Sequence, residues 1–271
     1  YDLLIDDPTD FLLHTWLPRT VAGMEGFANL GSPLDMIEVV AGPPYMMRWA
    51  DPAVQASLEK LAAAGREAAE WGGVVYPLLG RLVAAGFPGT IGAMSLAPFD
   101  VIGDTLRGTR GVLTDMFRQP EALLEACDRL APIMVKWVTR RATEHTGPLI
   151  FMPLHKGADG FMNDEQFRTF YWPSLRRVIE GLVADGFVPY LFAEGAYNTR
   201  LEIIRDVPVG RTVWQFDHTD MKRAKEVLGG VACIQGNVPV SLLNLGSPDQ
   251  VTAYCRDLIE SCAPGGGFIL D

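Results

Sequence analysis

The stretch Leu149-Ile150-Phe151-Met152-Pro153-Leu154, closing on His155, is short, apolar and followed by a polar loop. It opens a series. Val188-Pro189-Tyr190-Leu191-Phe192-Ala193 closes on Glu194, Thr212-Val213-Trp214-Gln215-Phe216 on Asp217, Val231-Ala232-Cys233-Ile234-Gln235-Gly236 on Asn237, and Phe268-Ile269-Leu270 on Asp271. Runs this short and this apolar suit strands buried on both faces, and the first four are each followed by a helical pattern, which suits a parallel sheet. In parallel α/β sheets a ligand lies beyond the carboxyl ends of the strands, where His155, Glu194, Asp217, Asn237 and Asp271 converge. A polar residue after a strand is also simply where a loop begins, so the series points to a site without saying which members form it.

The 271 residues suit one α/β barrel domain, with a mostly helical part over 1–86 and βα repeats over 87–271. A closed (β/α)8 barrel is the economical architecture, and an open doubly wound sheet is the alternative. The chain reads as clipped at both ends: it starts at Tyr1 without Met and stops on a strand that would need a covering helix. A formal charge of −10 with no basic cluster argues against a nucleic-acid surface. The apolar segments are too short for a membrane span, no leader pattern is present, and Cys127, Cys233, Cys255 and Cys262 form no CxxC pair, so a cytoplasmic protein with reduced, packing thiols is expected.

Upstream, Asp7-Pro8-Thr9-Asp10 begins a helical reading that extends to Leu30, and Ala41-Gly42-Pro43-Pro44 marks a turn. Asp51-Pro52 opens a helix to about Trp71, followed by a second apolar segment from Val74 to Ala85. After Phe87-Pro88-Gly89, Thr90 to Met94 reads as a strand, Ser95 to Gly103 as a loop and Leu106 to Phe117 as a helix. Gln119-Pro120-Glu121 starts a helix presenting Leu123, Leu124, Cys127, Leu130, Ile133, Met134 and Trp137, which ends near His145. Pro173 implies a kink, or a helix ending near Tyr171, and Asn163 or Asp164, Asp220 and Ser247 are expected caps.

Several segments together carry a family resemblance: Phe167 to Pro173, the Glu194-Gly195 loop, Asp217 through Lys225, Gly236-Asn237-Val238-Pro239, Gly246-Ser247-Pro248-Asp249-Gln250-Val251 and Gly265-Gly266-Gly267-Phe268-Ile269-Leu270. This order resembles the uroporphyrinogen decarboxylase superfamily, from about Phe87 to Asp271. The resemblance implies a (β/α)8 barrel that either decarboxylates porphyrinogens or, with zinc, exchanges methyl groups with a corrinoid. The decarboxylases' Met-Arg-Gln-Ala-Gly-Arg type of motif is absent here, which favours the methyltransferase branch. The methyltransferases' His-x-Cys-Gly motif falls on Phe192-Ala193-Glu194-Gly195, and their third ligand would fall beyond Asp271.

On that resemblance, Glu194 and then His155 are the candidate ligands of a zinc ion that polarises the oxygen of a methyl donor. Asp159 and Asp217 are candidates to orient ligands or act as acid and base, and His155, Tyr197, Arg200, Asn237 and Asp271 to contact substrate. Arg200 suits a substrate carboxylate and, equally, an ion pair with Asp206 or Glu202. The implied reaction moves a methyl group from a small donor, for example a methoxyaromatic, to a corrinoid on a separate protein, since the chain lacks an Asp-x-His-x-x-Gly pattern. Two other readings keep the fold: a metal-free lyase using Asp159 or Asp217, and a non-catalytic barrel that binds a tetrapyrrole or a corrinoid protein. A homodimer is compatible with the sequence, but nothing in it specifies one.

Overall fold

A computed structural model describes residues 1–30, 46–86, 91–140, 142 and 147–271. The segments Ala41 to Pro44 and Phe87 to Thr90, and the expected helix end at His145, lie outside the described residues. The chain forms two compact units, Tyr1–Gly89 and Thr90–Asp271.

In the first unit Asp7 caps the turn Pro8–Asp10 by accepting the Asp10 N–H at 3.0 Å. Helical backbone continues only to Thr20, because Gly23 adopts φ 92°, and a 3-10 turn follows at Glu25–Asn29. Met24, Phe27, Leu30 and Val54 form its small core. Gly26 is obligatory there, since a Cβ would stand 1.9 Å from the Ala53 carbonyl oxygen. The two apolar segments expected after Pro52 are one helix, Pro52–Ala84, with Pro77 inside it. No helix among the described residues is long and apolar enough to cross a membrane.

The second unit is built on β1 (Ile91–Met94), β2 (Leu149–Leu154), β3 (Val188–Ala193), β4 (Val213–Phe216), β5 (Cys233–Gln235) and β6 (Phe268–Ile269). These form a six-stranded sheet in the order β1-β2-β3-β4-β5-β6, and every pair is parallel. Consecutive order is that of a β/α barrel wall; a doubly wound sheet reverses direction at a switch point, and this one does not. Ile150, Met152, Leu154, Leu191, Ala193, Trp214, Phe216 and Ile234 make the buried face. Helix Trp172–Ala184 packs on β3, and helix Met221–Leu228 on β5. The opposite face, with Phe151, Tyr190, Phe192, Gln215 and Gln235, is only half-buried, so burial on both faces does not hold among the described residues.

Two connections differ from the sequence reading and matter for the site. Pro98–Asp100 and Val101–Leu106 are helical rather than loop, closing with a wide turn in which Arg107 N–H donates to the Ile102 carbonyl at 2.8 Å. The following helix therefore starts later, at Thr109, beyond Gly108 at φ 81°. A second wide turn, Phe167–Tyr171, leads into Trp172–Ala184 and places Pro173 in the first turn, where it needs no N–H partner and causes no break. Helix Pro120–Thr139 buries Leu123, Cys127, Leu130 and Met134 as expected, whereas Ile133 and Trp137 face outward. Asn163, Asp220 and Ser247 cap their helices with their side chains.

Candidate active site

Strand register brings the five strand-end residues to one level. Leu154 pairs with Ala193 and Ala193 with Phe216, so His155, Glu194 and Asp217 follow on the next rung. Gln215 pairs with Gln235 and Gln235 with Ile269, which sets Asp217, Asn237 and Asp271 level in turn. Neighbours on such a rung stand about 4.8 Å apart, so together they edge one mouth.

The β2 end of this rung is fixed by residues from far upstream. Asp100 is fully buried, accepting the Tyr171 hydroxyl at 2.6 Å, the His155 N–H at 3.0 Å and the Lys156 N–H at 3.1 Å. Burial pushes its carboxyl up to about 6, against the lowering effect of the Tyr171 and His155 hydrogen bonds. Asp104, one turn on, accepts the His155 Nδ1–H at 2.6 Å and binds the Lys156 ammonium. Partial burial acts to raise the Asp104 carboxyl, but the bonds from Lys156 and His155 outweigh it and hold it below the usual range. Burial likewise acts to lower the His155 pKa, yet the Asp104 bond and the charges of Asp100, Asp104 and Glu194 hold it above the ordinary imidazole value. Because Nδ1 is held by Asp104, Nε2 is the nitrogen left to exchange a proton, and the side chain is 37% exposed. Gly103 makes room for the buried lysine: a Cβ there would meet Lys156 Cε at 2.7 Å.

A second brace ties the loops after β2 and β3. Arg200 is fully buried, with its Nε donating to the Gly157 carbonyl at 3.2 Å and its terminal nitrogens to the Asp164 carboxylate and the Met162 carbonyl. Its guanidinium carbon lies 4.8 Å over the Phe167 ring. Of the sequence alternatives, neither a pair with Asp206 nor one with Glu202 forms; Asp206 pairs with Arg176 at 2.9 Å and Glu202 with Arg223 at 2.5 Å. Burial and saturated bonding also turn Arg200 away from any substrate carboxylate. Tyr197 is fully buried too, its N–H donating to Thr219 Oγ1 at 3.0 Å and its hydroxyl to the Leu154 carbonyl at 3.4 Å, beside Tyr171. Gly157 permits this approach, since a Cβ would stand 2.3 Å from the Tyr197 hydroxyl. Asp159 accepts from the Thr199 N–H at 3.3 Å and hydroxyl at 3.1 Å, which binds the two loops together.

The β4 to β6 end is looser. Asp217 is 43% exposed, touching the Gly195 N–H at 3.3 Å and His218 Nε2 at 3.2 Å. Asn237 donates through Nδ2 to the carbonyls of Asp217 at 3.0 Å and Thr219 at 2.7 Å, so it fastens the loop after β4. Asp271 receives the Gln215 amide. Glu194 and His155 are adjacent oxygen and nitrogen donors, but no three His, Cys, Asp or Glu side chains among the described residues are grouped to hold a metal ion.

Asp100, Asp104, Lys156 and Tyr171 were not among the sequence candidates. One signal was available: Asp100 is a lone carboxylate inside the apolar run Pro98-Phe99-Asp100-Val101-Ile102-Gly103, and such a residue, once buried, requires several donors.

The comparisons agree with this architecture. A solved methyltransferase from Methanosarcina mazei superposes with a TM-score of 0.50 at 21% identity, over 66% of this chain and 50% of that one. A curated uroporphyrinogen decarboxylase from Syntrophotalea carbinolica is 23% identical over 192 residues, 71% of this chain and 54% of the relative. The chain thus spans about half the length of the relatives it matches. The family model described as uroporphyrinogen decarboxylase (URO-D) matches residues 27–271, nearly the whole sequence, and on that match the chain belongs to the uroporphyrinogen decarboxylase family.

Proposed function

We propose that the protein moves a methyl group from a small donor, of the methoxyaromatic type, to a corrinoid carried by a separate protein, with His155 as the proton donor to the departing oxygen. The observation that carries this reading is the Asp104–His155 pair, in which a carboxylate holds Nδ1 and keeps the imidazole charged above its ordinary pKa. A charged imidazole at a strand end is suited to protonating an oxyanion as the C–O bond breaks. The corrinoid supplies the nucleophile that takes the methyl group. Asp100 and Asp104 fix the backbone and ring of His155, and Lys156 offsets the charge of Asp104. With only Glu194 and His155 adjacent as donors, no step is assigned to a metal.

The test is methyl transfer from 2-methoxyphenol to a reduced corrinoid protein, followed by the change in the corrinoid's visible spectrum. His155→Gln is expected to lower the rate by about 10²-fold or more. The loss should shrink for donors whose phenol is more acidic, because these need the proton less. An unchanged rate in His155→Gln would overturn the assignment. A second reading, decarboxylation, is favoured by the similarity to the Syntrophotalea carbinolica protein. There the same proton would go to the carbon that loses CO2. Release of CO2 from a carboxylated porphyrinogen, with no methyl transfer, would establish that reading instead.

A further inference from the structure

The helix Pro52–Ala84 has two unlike halves. Its beginning packs within its own unit: Val54 is fully buried, and Ser57 is nearly so, its hydroxyl accepting the Gly26 N–H at 3.2 Å. Beyond Leu61 the same side of the helix continues as Ala64, Ala68, Trp71, Val75, Leu78 and Leu82. These residues recur at alternating steps of four and three, the spacing that keeps apolar groups on one seam of a coiled coil. Among the described residues the seam is open: Trp71 is 61% exposed, Leu78 50% and Leu82 45%.

The order of the seam residues says what covers it. The seam is small at Ala64 and Ala68 and large from Trp71 onward. Two such helices laid side by side in opposite directions, related by a two-fold axis, set Ala68 across from Leu78 of the second copy, Ala64 across from its Leu82, and Trp71 across from its Val75. Each bulky side chain then meets a smaller one. Laid in the same direction, the helices would set Trp71 on Trp71 and Ala68 on Ala68, crowding one layer and leaving the next empty.

Both flanks of the seam agree with the antiparallel register. On one flank Gly65 falls across from Leu79 of the second copy. Glycine weakens a helix interior, and a Cβ at Gly65 would meet nothing within 4 Å, so packing among the described residues gives no reason for it; close approach of another helix does. On the other flank Glu67 falls across from Arg81, and the two-fold axis makes this contact twice. Neither of these two side chains has a partner among the described residues. Pro77, which removes a helix hydrogen bond, lies on the far side and leaves the seam clear.

We infer that the protein forms a two-fold homodimer through this seam, with the second halves of the two helices packed antiparallel about an axis between Gly72 and Val74. The pairing is isologous, each helix supplying both the bulky and the small part of the contact. It does not depend on the reaction at the mouth.

Sedimentation equilibrium over about 1–100 μM protein tests it. The mass of two chains is expected at the upper end, falling toward that of one on dilution. Leu78→Asp sets an unpaired carboxylate in the seam and should raise the dissociation constant about a hundredfold or more. Since Leu78 is 50% exposed in the single chain, the variant keeps its fold, which circular dichroism checks. Glu67→Arg and Arg81→Glu should each weaken the dimer by about three- to tenfold, because each sets like charges across the seam twice. Mixing these two variants should restore it, since opposite charges then face each other at both contacts. A parallel pair would show no such restoration, because Glu67 and Arg81 lie two heptads apart and never meet. A monomer at every concentration would mean that the seam is covered within one chain, a dimer indifferent to Leu78→Asp would use another face, and a dimer without the charge restoration would pair in another register. Any of these three results overturns the inference.

Discussion

The two ends of the mouth are built differently. At β2 and β3 the rim residues are anchored from beneath: Asp100 holds two consecutive backbone N–H groups, Asp104 holds the His155 ring, and Arg200 crosses from one loop to the other. At β4 the carboxylate of Asp217 is exposed and bound by few partners. Buried polar groups are expensive unless every partner is present, so the first end keeps one geometry. The second has room to adapt to what enters. A reacting group needs the former and a recognised ring tolerates the latter, which is why the proposed proton donor sits at β2.

The largest expected effect tests the anchored end directly. Arg200→Ala leaves three carbonyls and the Asp164 carboxylate without their buried donor, and should lower the unfolding free energy by about 3–5 kcal/mol, measured by denaturant titration. A loss below about 1 kcal/mol would mean that this end is no firmer than the other.

The next effect is a dependence on pH. The Asp100 carboxyl keeps its proton up to about 6 in the folded protein, whereas in the unfolded chain it releases it near 3.8. Between these values the folded state binds more protons, so stability falls as pH rises from about 4 to about 6, by up to about 3 kcal/mol, and then levels. Asp100→Asn should remove that decline, although it weakens the fold at every pH by setting an amide N–H against a backbone donor. A decline that persists unchanged in the variant would assign it to another group.

The smallest effect belongs to the open end. Asp217→Ala should change stability by less than about 0.5 kcal/mol, since the side chain is 43% exposed and its contacts are few. A larger loss would show that the two ends are braced alike.

How far the sequence reaches follows the same division. The strands and the rim residues were legible because each is local: a short apolar run and the polar residue that ends it. Parallel register then sets those residues level without further information. The anchors were not legible, because Asp100 meets His155 across 55 positions of chain and Tyr171 across 71. Tyr171 reads as one aromatic among several between Phe167 and Trp172, and nothing in that run marks its hydroxyl as the one that reaches a carboxylate. Arg200 stands out in the sequence as a cation, but its partner, Asp164, sits in a helix start 36 residues upstream rather than in its own turn. A lysine after a strand reads as solvated, and Lys156 is instead nearly buried, because Gly103 leaves space for its stem.

The shared rung has one more consequence. Along each strand, the residue before the rim belongs to the wall: Leu154, Ala193 and Phe216 are buried, while His155 and Asp217, just beyond the strand ends, are exposed and Glu194 is half-buried. A replacement at an exposed rim position such as Asp217 therefore leaves the helix-facing packing undisturbed. Such a scaffold can exchange its chemistry one residue at a time, so that a change of substrate or reaction requires no change of architecture.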